Sequence, residues 1–348
     1  MRVDYIIVGL GLAGLAFAEE LSNAKKTFLV FEDYSQTSSL VACGVYNPVV
    51  LRRFTAVWKG AEQLDVAMTF YENLEQKLNQ KVDEKFSIKR VFKSIEEQNN
   101  WFAASDKPLL KPFLNPNIEI KKVAGIVGNC GFGTVNKTGR IDTLKLVNSY
   151  RKFLNDNNLI RYEKFEHLKV KVKFSAETIS YKDVSCQHII FCEGFGIKEN
   201  PFFNNLPLEE AKGELITIHA PELNIDFLLK SALFVIPLGN NKYKVGATFN
   251  HVDKTSVPTD NGKLELVDKL KKVIDVPYKI IEQFAGIRPT TKDRRPFIGL
   301  HKKYPKLAVL NGLGTRGVMI APTMAKNLFN HLEKGLALDE EVDIKRFG

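Results

Sequence analysis

The chain has 348 residues, of which 44% are hydrophobic and 26% charged, a composition typical of a globular protein with a sizeable core. The formal net charge is +10, but the basic residues are dispersed, so we interpret them as solvated surface and keep an RNA interface as the alternative. No apolar run is long enough to span a bilayer. The first predicted strand begins too close to Met1 to leave room for a signal peptide, and we expect a cytoplasmic protein.

A glycine-rich turn follows the first apolar stretch of the chain. Tyr5-Ile6-Ile7-Val8 leads directly into Gly9-Leu10-Gly11-Leu12-Ala13-Gly14. We expect Gly9 to take a positive φ, Gly11 to allow close approach of a pyrophosphate, and Gly14 to let the following helix pack on its strand. This pattern predicts a dinucleotide-binding turn with the phosphates at the helix N-terminus.

A second predicted strand, 27–31, ends in Glu32 at the separation that such folds use. A carboxylate there can bind both hydroxyls of an adenosine ribose and would repel a ribose 2'-phosphate. The alternative is that the glycines only mark a turn and Glu32 is a solvated strand end. The agreement of strand, turn, helix and acid favours the nucleotide-binding interpretation.

The next predicted elements lie between residues 34 and 136. A polar loop over 34–48 contains Ser38, Ser39 and Gly44, small residues that would let it pass close to a bound cofactor. Apolar residues spaced by three and four predict a long helix over 57–78. The section 86–136 mixes short strand-like pieces with Pro and Gly, and we interpret it as an excursion out of the nucleotide-binding domain.

The middle of the chain carries a helix and several strands. Asp142 is predicted to cap a helix with Leu144, Val147 and Leu154 on one face. The apolar run 188–192 ends at Gly194 and is predicted to return to the central sheet. The other predicted elements are strands over 169–174, 178–181, 233–237 and 243–248 and a helix over 264–274, the last three in an antiparallel layer.

The C-terminal part repeats the arrangement of strand, glycine loop and helix. Strand 307–310 leads into Asn311-Gly312-Leu313-Gly314-Thr315-Arg316-Gly317, and a helix is predicted over 318–334 with Pro322 in its first turn. The first turn already accounts for a pyrophosphate. A second helix N-terminus of this kind can face the pyrimidine edge of a flavin and stabilise the negative charge that collects there on reduction.

Together these motifs resemble the D-amino acid oxidase-like family of FAD-dependent oxidoreductases, which includes glycine oxidase, sarcosine oxidase and D-amino acid dehydrogenase. The resemblance covers nearly the whole chain and also rests on the segments 38–48 and 286–299. The loop 312–317 is similar to that in the oxidase domain of the bifunctional enzyme that matures carboxymethylaminomethyl-uridine in tRNA.

The resemblance implies an α/β fold, α+β overall. A Rossmann-like FAD-binding domain of the glutathione-reductase type would be interleaved with a mostly antiparallel substrate domain. We assign residues 1–85, 137–205 and 286–348 to the FAD-binding domain, and residues 86–136 and 206–285 to the substrate domain.

The resemblance also implies the cofactor and the site residues. FAD is expected in an extended form, with its adenine near Glu32. Arg288 matches the family's carboxylate-binding arginine, whose planar guanidinium can hold a carboxylate bidentately; the alternative is an ion pair with a nearby Asp or Glu. Arg316 is expected to anchor the flavin loop, and Asp293 to cap a loop. The expected cofactor-binding residues are Gly9, Gly11, Leu12, Ala13, Gly14, Glu32, Asp33, Ser38, Ser39, Gly44, Gly194, Gly312, Gly314, Thr315, Arg316, Gly317 and Val318.

The sequence departs from the family pattern at the substrate site. Phe234 stands where glycine and D-amino acid oxidases often have a tyrosine. Tyr243 or Tyr46 could supply the missing hydroxyl, but we interpret both as packed aromatic residues. His251 has no recognisable partner, and we interpret it as a surface or core residue.

The cysteines give no sign of a metal or a disulfide. Cys43, Cys130, Cys186 and Cys192 lack C-x-x-C spacing and have no histidine nearby in a ligand pattern. We expect reduced, mostly buried thiols and no metal site. Cys43 lies in the loop expected near the flavin, but a covalent link is not expected.

The resemblance implies oxidation of the C–N bond of a carboxylate-bearing amine, an amino acid or an N-substituted glycine. The α-hydrogen would leave as hydride to the flavin N5, and water would hydrolyse the imine. Oxygen or a quinone would reoxidise the flavin. The alternatives are oxidative removal of a carboxymethyl group from a tRNA wobble uridine, and a flavoprotein without turnover.

Overall fold

The computed structural model describes residues 1–120, 122–128, 130–172 and 178–348. Within these ranges the chain forms seven α-helices and 22 strands, numbered here in chain order. The helices are α1 (Leu12–Asn23), α2 (Ser38–Val41), α3 (Gly60–Leu78), α4 (Ile95–Ser105), α5 (Thr143–Asp156), α6 (Asp260–Leu270) and α7 (Gly317–Lys334). In these ranges no helix is both long and apolar enough to cross a membrane.

A six-stranded sheet contains the N-terminal and C-terminal glycine loops. In spatial order its strands are β11 (Ile160–Arg161), β2 (Phe28–Phe31), β1 (Tyr5–Val8), β15 (His188–Phe191), β22 (Leu307–Asn311) and β21 (Phe297–Leu300). All neighbours are parallel except β21, which runs antiparallel to β22. Strands β1 and β2 are entirely buried, as expected for a parallel sheet with both faces covered. Helices α1, α3 and α7 pack together beside it.

An eight-stranded sheet forms the second layer. In spatial order its strands are β20 (Lys279–Thr291), β16 (Leu208–His219), β19 (Lys242–Gly246), β18 (Phe234–Pro237), β17 (Leu228–Lys230), β7 (Ile88–Val91), β9 (Phe132–Val135) and β8 (Leu114–Glu119). Only the β17–β7 pair is parallel. Helix α6 covers one face, where Leu266 and Leu270 join a buried cluster with Val235 and Val245. The mostly antiparallel second layer agrees with the predicted fold class.

Three smaller sheets complete the described part of the chain. One consists of β3 (Val45–Tyr46), β10 (Gly139–Ile141) and β6 (Asp83–Lys85), a second of β12 (Val170–Val172), β13 (Ile179–Tyr181) and β14 (Val184–Cys186), and the third of β4 (Val49–Val50) and β5 (Thr55–Ala56). Of the predicted strand over 169–174, residues 173 and 174 lie outside the described ranges. The domain boundaries proposed from the sequence stay a prediction.

Two helix predictions require correction at their ends or faces. Asp142 caps α5 as predicted, since its side chain accepts a hydrogen bond from the amide of Lys145, but Leu144 is half exposed. The buried face is formed by Leu146, Val147, Tyr150 and Leu154. Helix α3 begins three residues after Val57.

Helix α4 was missed because the section 86–136 looked like a run of short strands. Its N-terminus carries a capping signal, Ser94 followed three residues later by Glu97, and the Ser94 hydroxyl accepts a hydrogen bond from the Glu97 amide.

Helix α6 begins four residues before the predicted start. Gly262, which argues against a helix in the sequence, lies against the Glu214 carboxylate, where a Cβ would be 2.4 Å from its carboxyl carbon.

Candidate active site

A cavity of about 880 Å³ lies between the two large sheets, a size in the range of small-molecule and cofactor sites. One side is formed at the carboxyl ends of β1, β2, β15 and β22, by residues that include Gly9, Glu32 and Cys192. The other side is one face of the eight-stranded sheet and includes Phe234 and Arg288. Ligands of parallel α/β sheets bind at the carboxyl ends of the strands, so the cavity is the candidate site.

The turn after β1 has the predicted geometry. Gly9 has a φ of +90°, and a Cβ there would lie 2.7 Å from the Cys192 carbonyl oxygen. A Cβ on Gly14 would lie 2.0 Å from the Gly9 carbonyl oxygen. Both positions therefore exclude any larger residue, and the positive φ predicted for Gly9 is confirmed.

Gly11 and the first amide of α1 face the loop that contains Ser39. The Leu12 amide donates a hydrogen bond of 3.1 Å to the Ser39 hydroxyl, and a Cβ on Gly11 would lie 2.9 Å from the same oxygen. Gly11 is the N-cap residue of α1 and has no side chain that could cap the helix. The amides that follow Leu12 and the small residue beside them suit a phosphate.

Glu32 is buried at the end of β2 and makes three contacts. One carboxylate oxygen accepts a hydrogen bond of 2.6 Å from the Leu10 amide. The other accepts bonds of 3.0 Å from the Tyr34 amide and from the Arg151 guanidinium. A carboxylate has about four acceptor positions, so one remains for a ligand hydroxyl. Sequence reasoning missed Arg151, because nothing in the local pattern of α5 indicates a contact with Glu32.

The loop after β2 is fixed by contacts with two distant elements. The Ser38 hydroxyl donates a hydrogen bond to the Ile287 carbonyl on β20. Gly44 has a φ of +66°, and a Cβ there would lie 1.8 Å from the Ile141 carbonyl oxygen. Asp33 lines the cavity and accepts a hydrogen bond from the Ser35 amide. These contacts give Ser38 and Gly44 structural roles in addition to their predicted ones.

Asn311 connects the loop that contains Gly194 with the loop that contains Gly312. Its side-chain amide donates a hydrogen bond of 2.9 Å to the Gly194 carbonyl, and its side-chain oxygen accepts one of 2.9 Å from the Gly312 amide. Gly194, Gly312 and Gly314 all have positive φ angles. The sequence places Asn311 at the end of the strand, but gives no sign that its side chain joins these loops.

The N-terminus of α7 opens into the cavity. Gly314, Thr315, Arg316, Gly317 and Val318 all line it. Burial lowers the pKa of Arg316, and the Arg294 charge adds to this effect.

Pro322 is the sixth residue of α7, so the expectation that it lies in the first turn is wrong. The helix begins one residue earlier than predicted.

Arg288 lies on β20 with its side chain in the cavity. The guanidinium extends over Gly213 on β16, where a Cβ would be 1.9 Å from Nη2. Nη1 donates a hydrogen bond of 3.3 Å to the Thr248 carbonyl, and the guanidinium lies 4.4 Å from the Phe249 ring centre. Burial lowers the pKa of Arg288. Among the described residues no carboxylate pairs with it.

The aromatic residues considered for the substrate site lie in different places. Phe234 lines the cavity. Tyr46 instead donates a hydrogen bond of 2.8 Å to Asp83, and Tyr243 is buried in the cluster under α6. Neither contributes a hydroxyl to the cavity wall. His251 is exposed.

The four cysteines are unpaired thiols. Cys43 and Cys192 line the cavity. Burial raises the pKa of Cys43 to about 11 and raises that of Cys192 as well, so both thiols are protonated at neutral pH and are weak nucleophiles.

Asp293 caps its loop as predicted, since its side chain accepts a hydrogen bond from the Arg295 amide.

The comparison with protein families identifies this arrangement. Residues 4–330 match the model of the family described as FAD dependent oxidoreductase. The chain belongs to this family, whose members are FAD-dependent enzymes.

Similar proteins agree with this assignment. The glycine oxidase of Bacillus subtilis (strain 168) is 28% identical over 186 residues, which cover 49% of each chain. That of Bacillus licheniformis is 21% identical over 355 residues, which cover 92% of this chain and 90% of that one. A crystal structure of glycine oxidase from Geobacillus kaustophilus covers 97% of both chains with a TM-score of 0.80 and 17% identity. This likeness shows the fold.

The residues on the cavity wall fit FAD. Gly11, Leu12 and Ala13 line the cavity, and only the Ser39 side chain lies against Gly11, so a pyrophosphate can approach the amides that follow Leu12. Glu32 keeps an acceptor position for a ribose hydroxyl. The N-terminus of α7 presents further amides at the other end of the cavity. The individual cofactor contacts predicted from the sequence remain a proposal.

Proposed function

We propose that this enzyme oxidises the C–N bond of a small amine that carries a carboxylate, and that Arg288 binds the carboxylate. FAD supplies the two-electron acceptor that takes a hydride from the carbon next to nitrogen. The observation that carries the proposal is the half-buried Arg288 guanidinium, which lines the cavity and, among the described residues, has no acidic partner. A partly desolvated cation of this kind is suited to bind an anion.

The surroundings of Arg288 support a positioning role. Gly213 on the neighbouring strand leaves room for the guanidinium, Phe249 stacks on it, and the Thr248 carbonyl accepts one of its hydrogen bonds. The remaining donors of a planar fork can bind a carboxylate in two places. A carboxylate fixed in this way holds the adjacent carbon in one orientation, which is the main requirement of hydride removal.

The proton chemistry of the site favours a neutral amine. Of the described residues that line the cavity from the eight-stranded sheet, none is Asp, Glu or His. The acidic cavity residues, such as Glu32 and Glu193, lie on the nucleotide side. The amine would therefore lose its proton to solvent before the hydride leaves, and water would hydrolyse the imine product.

Anaerobic reduction of the purified flavoprotein tests the proposal. Glycine, sarcosine, D-alanine, D-proline and carboxymethylated tRNA would each be mixed with the wild type, Arg288→Met and the exposed-residue control Arg53→Met, and bleaching of the flavin band followed. We expect one or more small carboxylate-bearing amines to bleach the wild type and Arg53→Met at similar rates. Arg288→Met should need at least about 10-fold more substrate.

Two results would count against the proposal. A flavin that stays oxidised with every amine would favour a flavoprotein without turnover. Reduction by carboxymethylated tRNA alone, with salt-sensitive binding of tRNA, would favour the oxidation of a modified uridine. Repeating the reoxidation with oxygen and with a quinone identifies the electron acceptor.

A further inference from the structure

Lys230 is a cavity residue that the proposed reaction does not use. It ends β17 and lines the same cavity as Arg288. In the sheet its neighbours in register are Phe234 on β18, which also lines the cavity, and Arg90 on β7. Residues in register on adjacent strands project from the same face of a sheet, so Lys230 and Arg90 lie side by side.

Other cations surround Lys230. Lys269 lines the cavity as well, and the charges of Arg90, Lys269 and Lys93 act on Lys230 in the same direction. Burial and these charges lower the pKa of Lys230 to about 8, so it is still largely protonated at neutral pH. Within the described ranges no acidic side chain forms an ion pair with it.

The neighbouring cations have partners, but not all of their donors are used. Arg90 forms an ion pair of 2.7 Å with Glu97 and donates to the Ser231 carbonyl. Its Nε is buried without a hydrogen-bond partner. Lys269 forms an ion pair of 2.5 Å with Glu265. Lys230 is half-buried in the cavity wall, and the buried Arg90 Nε lies on the neighbouring strand in register with it. Neither donor has an acidic partner within the described ranges, which leaves excess positive charge beside the cavity. Such an arrangement is costly unless an anion occupies it.

We propose that Lys230 binds a second anionic group of the substrate, so that the enzyme acts on amines with a carboxylate at one end and another carboxylate or a phosphate at the other. This inference rests on the proposed function, because it takes Arg288 as the site of the first carboxylate. Lys230 is then a specificity-determining residue.

The sheet sets the distance between the two sites. The Arg288 guanidinium lies over Gly213 on β16, and β17 is three strands away from β16. Through Phe234 and Gly246, Lys230 is in register with Leu215, two residues from Gly213. At about 4.8 Å per strand and about 3.3 Å per residue, the two backbone positions are about 16 Å apart. The long lysine and arginine side chains shorten the gap, but a substrate that spans it needs several bonds between its two anionic groups. A short dicarboxylate is therefore expected to reach only one of them.

Ligand binding to the oxidised holoenzyme tests the inference without turnover. Changes in flavin absorbance would report the dissociation constants of straight-chain dicarboxylates from succinate to suberate, their monoamides, and ω-phosphonocarboxylates of matching length. The proteins are the wild type, Lys230→Met, Arg288→Met and Lys242→Met, a control that removes an exposed lysine from β19.

At one chain length beyond succinate we expect the wild type and Lys242→Met to prefer the doubly charged ligand over its monoamide by at least about 10-fold. Lys230→Met should lose this preference and bind the monoamide as the wild type does, whereas Arg288→Met should weaken both ligands. Tighter binding of the phosphonates than of the dicarboxylates would assign the second group as phosphate, and the reverse as carboxylate.

Two results would overturn the inference. The first is that the wild type shows no preference at any length, and the second is that the preference survives in Lys230→Met. If, in the second case, Lys230→Met also slows flavin reduction equally for every amine, the result indicates proton transfer by Lys230 instead. If the monoamides bind but are insensitive to Arg288→Met, the proposed function itself has failed, and this result is distinct from the other two.

Discussion

The hydroxyl of Tyr71 in α3 donates a hydrogen bond of 2.9 Å to the carbonyl of Val318 in α7. In a regular helix that carbonyl would accept a hydrogen bond from residue 322, but residue 322 is a proline and has no N–H. Tyr71 thus replaces the hydrogen bond that Pro322 removes. The contact holds α3 against the first turns of the helix whose N-terminus opens into the cavity.

Tyr71→Phe should destabilise the protein by about 1–3 kcal/mol, because it leaves the buried Val318 carbonyl without a partner. Urea unfolding of the FAD-free protein measures this loss. FAD affinity should also fall, since the α7 N-terminus lines the cofactor cavity.

Pro322→Ala provides the matched control for Tyr71→Phe. Alanine restores the amide of residue 322, so the double variant should recover most of the lost free energy of unfolding. If Pro322→Ala gives no recovery in the Tyr71→Phe background, Tyr71 stabilises α7 by packing and not through this hydrogen bond.

Gly11→Ala should separate FAD binding from folding. Gly11 has φ −81° and ψ −164°, extended angles that alanine also adopts, and a Cβ there would meet only the end of the Ser39 side chain. The free energy of unfolding without FAD should therefore fall by no more than about 1 kcal/mol. FAD affinity should fall by at least about 10-fold, because the added methyl group occupies the approach of the pyrophosphate.

Ser39→Ala in the Gly11→Ala background is the control for crowding within the protein, since the new Cβ would meet the Ser39 hydroxyl first. The loss of FAD affinity should persist in the double variant. Full recovery would mean that Gly11 is small to make room for Ser39 and not for the cofactor.

The sequence predicted the elements whose signals are local. The turn from Gly9 to Gly14, the cap at Asp142 and the final strand, loop and helix all depend on steric or capping requirements within a few residues. Phe234 lines the cavity, and His251 is exposed, which is one of the two interpretations that the sequence left open. The positive φ at Gly9 could be predicted because a turn of this kind needs a residue without a side chain at its first position.

Contacts between distant segments could not be predicted in this way. Arg151 binds Glu32 across 119 positions, and Asn311 reaches Gly194 across 117. Neither has a local signal, because their contacts depend on how helices and strands pack. The same holds for Lys230, whose cationic neighbours belong to β7 and α6. Helix α4 is different, since its capping residues Ser94 and Glu97 were visible in the sequence.

The lowered pKa of His188 should make the protein less stable in mild acid. Burial, with the Lys306 charge, lowers its pKa to about 4, although Glu333 acts in the opposite direction. An unfolded histidine titrates near 6.5, so the unfolded state binds more protons between pH 6.5 and 4. The free energy of unfolding should fall with pH in that window, by at most about 1.4 kcal/mol per pH unit from this residue.

Urea unfolding at pH 7.5, 6 and 5 measures the contribution of His188. His188→Phe, which keeps an aromatic ring against Tyr5, should be less sensitive to acid than the wild type. The exposed control His251→Gln should behave as the wild type does. Equal acid sensitivity in all three proteins would show that His188 is not the source.

The charge of Lys230 should affect stability at neutral and alkaline pH. Its pKa of about 8 in the folded protein is below the value near 10.4 of an unfolded lysine, so the unfolded state binds more protons between these values. Lys230→Met should therefore raise the melting temperature of the ligand-free holoenzyme at pH 7, and the gain should shrink as the pH rises above 8. A variant that is less stable at pH 7, with a difference from the wild type that does not change with pH, would contradict a destabilising effect of the Lys230 charge.

The most direct test of the central claim is the reductive reaction of Arg288→Met with two matched substrates, an amino acid that reduces the wild type and its uncharged amide. Stopped-flow traces under anaerobic conditions give the apparent dissociation constant of each. We predict that the substitution raises the constant of the amino acid by about 10- to 100-fold and leaves that of the amide unchanged. Equal changes for both substrates, or no change for either, would contradict the binding of the substrate carboxylate by Arg288.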